Sequence, residues 1–266
     1  MNRLVSTELL KIRTTRSWWG VLIGLAVWAA AWTALGAAFA GAEVPGQPPL
    51  PGPENPAVAR GIYASGLTSF GYVFTLVLGV LIVGSEYRHQ TVTPTFLATP
   101  RRYRVVLAKG AATAIVGLVY GGVAIAVSVG VGAAIVAARG FDVSLTDGGI
   151  PRALGLSLVA FVLWALIGTG LATLLRNQVM AMLIGIGFVV VETIATGILA
   201  FQSWGPDVLR WFPSQATTAL VEPFVTDGGG SQVNLLAWWG AGLLLLGYGA
   251  VFAGLGASLT LRRDVT

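Results

Sequence analysis

The sequence predicts an all-α membrane protein: one domain over residues 1–266 with six transmembrane helices, preceded by an amphipathic helix. Three observations predict it. Hydrophobic residues make up 55% of the chain and charged residues 10%, against roughly 25% charged in a soluble domain. Mean hydropathy is +0.80, more apolar surface than a single water-soluble core can enclose. The apolar residues also gather in six continuous runs, each long enough to cross ~30 Å of hydrocarbon as a helix. Membrane barrels would instead show alternating segments of about ten residues. Helices are required because lipid offers the backbone no hydrogen-bond partners.

The spans are expected near residues 18–40, 62–84, 105–138, 153–175, 179–202 and 235–261. Six spans put both termini on one side. With the N-terminus inside, twelve basic residues face the cytoplasm (Arg3, Lys11, Arg13, Arg16, Arg88, Arg101, Arg102, Arg104, Lys109, Arg176, Arg262, Arg263), and Arg60, Arg139, Arg152 and Arg210 lie outside. That is the bias of the positive-inside rule, and it predicts both termini in the cytoplasm; the preference for arginine over lysine hints at a GC-rich bacterial genome, so a bacterial cytoplasmic membrane is expected. Ala38-Phe39-Ala40 resembles a signal-peptidase site. The run before it exceeds the roughly 7–15 residues of a signal-peptide core and begins with Trp18-Trp19, so it reads as a span.

Ahead of the first span, residues 1–17 read as a basic amphipathic helix. Leu4, Val5, Leu9, Leu10 and Ile12 fall roughly on one face, and Lys11, Arg13 and Arg16 on the other. It suits the headgroup region, as an elbow framing the cytoplasmic face or as a positive-inside anchor alone. Residues 41–61 carry six prolines, expected to exclude helix and form an external connector.

The most informative stretch is the charged cytoplasmic loop expected over 85–109. Thr93 followed by Pro94 is a helix start, a hydroxyl cap and then proline at the first position. Thr95 to Ala98 form one short turn that presents Phe96 and Leu97, and Pro100 ends it before Arg101 and Arg102. This is a knob suited to a soluble partner's groove, or else an ordinary basic loop held by anionic lipid. Between spans five and six, Asp207–Phe212 and Ser214–Phe224 are short apolar segments punctuated by Pro206 and Pro213. They fit re-entrant half-helices or helices lying flat on the outer surface.

Little catalytic chemistry is present. There is no cysteine, one histidine (His89), and no Walker loop. The chain therefore reads as neither an enzyme nor a metal protein. One acid, Glu192, falls near the centre of the fifth span, where a carboxyl group is costly and faces a bundle interior or a wet cavity. It reads either as a substrate or proton contact, with Thr193 and Thr196 beside it, or as a helix–helix hydrogen bond. The spacings Gly20-x-x-x-Gly24, Gly117-x-x-x-Gly121 and Ser128-x-x-x-Gly132 read as helix packing. Cavity walls of mostly apolar residues with Ser, Thr, Tyr120 and Trp164 would suit an amphipathic or lipophilic cargo.

Taken in order, these pieces resemble a permease subunit of the type-2 (ABC-2) exporter membrane family. The resemblance rests on the Thr-Glu-Leu-Leu-Lys-Ile-Arg start, six spans, and the loop Gly84-Ser85-Glu86-Tyr87-Arg88-His89-Gln90-Thr91 with Ala98-Thr99-Pro100-Arg101-Arg102 and Ala108-Lys109. It implies a coupling helix around Thr91–Pro100 docking on a separate nucleotide-binding ATPase subunit, which would hold the ATP and magnesium. It implies extracellular re-entrant helices over 203–224, and a second permease copy or a sister chain. No nucleic-acid partner is expected. An ion-gradient-driven permease or a membrane scaffold is the alternative, with Glu192 as the feature in its favour.

Overall fold

A computed structural model describes residues 2–43, 50–91, 102–142, 144–146, 148–221 and 235–261. Among these the chain is helical: α1 (Asn2–Thr14), α2 (Ser17–Phe39), α3 (Pro56–Thr68), α4 (Tyr72–Arg88), α5 (Arg102–Ala138), α6 (Ile150–Leu175), α7 (Gln178–Leu199), α8 (Gly205–Leu209), α9 (Pro213–Val221) and α10 (Trp238–Leu261). Six helices, counting α3 and α4 together, are long and apolar enough to cross a membrane.

The second span differs from its expectation in two ways. It begins at Pro56 rather than near Ile62, so part of the proline-rich connector is helical. Proline is tolerated in a first turn, and the Asn55 side chain caps that turn by accepting from the Ala57 N–H at 2.9 Å. The span is also broken at Ser69–Gly71, where Phe70 takes a left-handed φ of 67°. A break inside an apolar layer strands polar backbone groups. Here the Trp28 indole N–H donates to the Ser69 carbonyl, and the Gly71 N–H returns to Leu67 at 3.1 Å. A side chain at residue 71 would place its Cβ 1.6 Å from the Gly66 carbonyl oxygen, so glycine is required.

The bundle is organised around α6, which packs most extensively on α4 and α10. Small residues permit the approach. A Cβ on Gly79 of α4 would lie 2.0 Å from the Ala165 carbonyl oxygen, and one on Gly168 of α6 would lie 2.0 Å from that of Leu76. On the other side, Gly170 faces the α10 backbone at Gly249 and Ala253. Of the spacings read from sequence, Gly117 and Gly121 pack on α6, and Gly132 packs on Tyr63 and Thr33. Gly20 meets nothing and is not a contact. The closest approaches to a neighbouring span's backbone, at Gly79 and Gly168, fall in no Gly-x-x-x-Gly pair.

The outward faces of α2, α7 and α10 expose large apolar residues such as Val27, Leu183, Val191 and Leu243, as a lipid-facing surface would. Tryptophans mark the two ends, with Trp19 at the start of α2 and Trp204, Trp211, Trp238 and Trp239 at the opposite end. The connection from α6 to α7 is two residues long: Arg176 turns the chain with a left-handed φ of 52°. Asn177 then caps α7 by accepting from Val179 and Met180.

Candidate functional site

Two clusters of polar groups stand out, one at each end of the bundle. The first lies where α1 meets the ends of α4 and α5. The stretch expected as loop over 85–109 is helical at both of its ends, over 85–88 and 102–109. The helix α4 runs on to Arg88, and α5 begins at Arg102. Helical periodicity therefore turns Glu86 and Lys109 inward, and both are buried.

There they meet Glu8 and Lys11 of α1. The Lys11 ammonium donates to Glu8 Oε1 at 2.7 Å and to Glu86 Oε1 at 2.9 Å. The Lys109 ammonium donates to Glu8 Oε2 at 2.9 Å and to Glu86 Oε1 at 2.5 Å. Two carboxylates and two ammoniums thus alternate around a square of zero net charge. These are the chain's only two lysines, beside fourteen arginines. A lysine suits the position because its compact ammonium can bridge two carboxylates, whereas a guanidinium fork matches one. Burial pushes the Glu8 carboxyl up, but Lys109 and Lys11 outweigh it and hold the group below the ordinary carboxylate range. Burial pushes Lys11 down, and its bonds to Glu8 and Glu86 outweigh that and hold it above the usual lysine range.

The amphipathic reading of α1 changes accordingly. Lys11 turns toward the bundle, while Leu10, expected on the apolar face, is 61% exposed. Val5, Leu9 and Ile12 pack on the core. Past Glu86, α4 closes with a turn in which Gln90 takes a φ of 55°. The Thr91 N–H then donates to the Glu86 carbonyl at 3.0 Å, and Gln90 to Tyr87 at 3.4 Å. This double bond pattern satisfies the last carbonyls of the helix. Of the expected docking residues, Glu86 and Thr91 are therefore joined through the backbone, and Arg102 opens α5. Thr93, Pro94, Phe96, Leu97, Pro100 and Arg101 lie outside the described residues.

The second cluster lies where α7 meets α9. Glu192 is 3% exposed, and its Oε1 accepts the Ser214 N–H at 2.7 Å. Ser214 is the second residue of α9. The residue before that helix, Phe212, offers no side-chain acceptor, so the cap comes from α7. Glu192 Oε2 is buried with no partner among the described residues. Thr193 and Thr196 do not join it; their hydroxyls donate back to the Val189 and Glu192 carbonyls of their own helix. One turn further along α9, Thr217 accepts from the Trp164 indole N–H at 2.8 Å. Trp164 stacks on Tyr72 with centroids 4.3 Å apart. Trp164 and Tyr120, expected as cavity walls, are packed inside the bundle instead, and the Tyr120 hydroxyl donates to the Trp18 carbonyl.

Sequence reasoning missed Glu8, Lys11 and Lys109 as a group with Glu86. The one available signal was lysine usage: the two lysines of so arginine-rich a chain fall one in each of the two charged stretches, 3–17 and 85–109. Among the described residues no group of three or more potential metal ligands converges. No known family model matches the chain, and no curated protein matches it.

Proposed function

We propose that this chain is the membrane-spanning permease subunit of an ATP-driven exporter of the type-2 ABC kind. It would couple to a separate nucleotide-binding subunit and expel an amphipathic or lipophilic cargo. The observation that carries the reading is the Glu8–Lys11–Glu86–Lys109 square. It fastens α1 to both helices that flank the segment 89–101. A force applied to that segment would enter α1, α4 and α5 together. In this reading α1 is the elbow, residues 91–100 are the coupling helix, and the inside is a bacterial cytoplasm.

The segment α8–α9 is read as the outer re-entrant pair. Its support is depth: Trp164, which holds Thr217, lies fourteen residues beyond Ile150, about 21 Å along α6 at 1.5 Å per residue. A helix lying flat on the surface would not reach so far. Two such permeases, identical or sister chains, would complete the translocation path.

The test is to express the chain with the ATPase that copurifies from its native host, then compare Phe96→Asp and Leu97→Asp with the parent. ATP hydrolysis by the partner persists while transport is lost, and detergent-solubilised thermal stability stays within a few degrees. Unchanged transport in both variants refutes the coupling assignment. A gradient-driven permease is the rival, favoured by the break at Ser69–Gly71 and by Glu192. It predicts that a protonophore, rather than ATP depletion, stops transport.

A further inference from the structure

We propose that Glu192 is the latch of an outer gate formed by α8 and α9, and that opening this end of the bundle requires its bond to Ser214 to break. The proposal rests on the reading of this chain as a permease with α8–α9 at its outer end, and not on what drives transport.

The inner surface of α9 is buried, through Ala216, Thr217, Ala219, Leu220 and Val221. Two side chains from neighbouring spans hold its first turns: Glu192 of α7 on the Ser214 N–H and Trp164 of α6 on Thr217. The positive end of the α9 dipole therefore rests on an acidic side chain. The grip of α7 on the bundle is itself narrow. Its buried residues are Ala181, Gly185, Val189 and Glu192, one stripe along the helix, while Leu183, Val190, Val191, Ile194 and Ile198 point outward. An outward tilt of α7 would peel this stripe and carry Glu192 away from Ser214.

The latch is poised and not locked. Its Oε2 is buried without a partner among the described residues, and such an orphaned oxygen carries a desolvation penalty that wetting relieves. Opening to water thus compensates part of what it breaks. On the side away from α7, the contacts continue from Thr217 through Trp164 to Tyr72. Tyr72 is the first residue of α4 after the break at Ser69–Gly71, so the gate and the joint in the second span share one line of packed groups.

The chain has no cysteine, so a single introduced thiol reports alone. Ala216→Cys places it under α9, where the parent residue is fully buried. The full-length protein in native membranes is treated with a membrane-impermeant maleimide. Adding Glu192→Ala raises the labelling rate by about tenfold or more, the size expected when a buried hydrogen bond is lost and its donor is left unpaired. Glu192→Gln keeps an acceptor oxygen and holds the rate within about threefold of the parent. Val189→Ala, which loosens the same stripe one turn away, leaves the rate near the parent value. Should Ala216→Cys impair expression, Ala219→Cys reports from the same face. An unchanged rate in Glu192→Ala overturns the proposal. So does a rate in Glu192→Gln or Val189→Ala equal to that of Glu192→Ala, because loosened packing alone would then explain it. Labelling needs no nucleotide, so the outcome is independent of the coupling test.

Discussion

Removing one lysine from the charge square should cost more than removing the other, although each makes two ionic contacts. Lys109 has a side chain 10% exposed and reaches Glu8 and Glu86 at 2.9 and 2.5 Å. Lys109→Met strands two buried carboxylates, 7% and 8% exposed, beside a single remaining ammonium. The gross attraction of one such pair is about 4 kcal/mol near 4 Å at an effective dielectric of 20. Each lost attraction is partly offset by relief of the lysine's own desolvation. Breaking a buried pair from one side costs ~3–5 kcal/mol in net terms, and that is the expected loss. Lys11 is 42% exposed. Lys11→Met leaves the same two carboxylates with one ammonium, but water that already reaches Lys11 can rehydrate them from its side, so the loss should be smaller, about 1–2 kcal/mol. Reversible unfolding in mixed micelles, titrated with a denaturing detergent, measures both. Adding Glu86→Gln to Lys109→Met should recover part of the loss, with a coupling of about 1–3 kcal/mol. Equal small losses for the two lysines would refute the reasoning and make the square a solvated surface feature.

The same square predicts a pH window. Glu8 is held below its ordinary range, so its contribution is present above that range and disappears as pH falls through its lowered folded-state value. Lys11 is held above its ordinary range, so its contribution is present below that range and disappears as pH rises through its raised folded-state value. Thermal stability in detergent should therefore plateau across neutral pH and fall at both extremes, and Lys109→Met should move the acid limb toward higher pH. At the centre of the bundle, Gly168→Ala would set a Cβ 2.0 Å from the Leu76 carbonyl oxygen. Backbone must shift to admit it, at about 3 kcal/mol or more, read as a loss of monodisperse protein on size-exclusion chromatography. Gly122→Ala, with open space at its Cβ, is the neutral comparison.

Hydropathy made the helical class and the six spans legible, because each span needs a long apolar run and nothing subtler. It could not reveal the joint in the second span. Ser69-Phe70-Gly71 is apolar enough to pass as helix, and what breaks the run is a backbone dihedral at Phe70 stabilised by a tryptophan forty-one residues earlier. The charge square was hidden for a related reason. Its ionic contacts other than Glu8–Lys11 join residues 23, 75 and 101 positions apart, distances that only the packing of three helices brings together. Glu192 was recognisable as a buried acid, since no lipid-facing position would hold it. Its partner was not, because a backbone N–H at the start of α9 has no side-chain signature.

The unequal construction of neighbouring helices has a mechanical corollary. The helix α5 runs thirty-seven residues without interruption, about 55 Å at 1.5 Å per residue, well beyond the ~30 Å of a hydrocarbon layer. Pivoted near the charge square, such a beam magnifies rotation: a tilt of about 5° sweeps its distant tip through roughly 4 Å over the ~44 Å from Lys109 to Ala138. The second span, articulated at Phe70, would bend under the same torque and deliver less. Motion started at the root of segment 89–101 should therefore arrive at the opposite rim chiefly along α5, beside Thr33 and Tyr63, where Gly132 leaves it close to both.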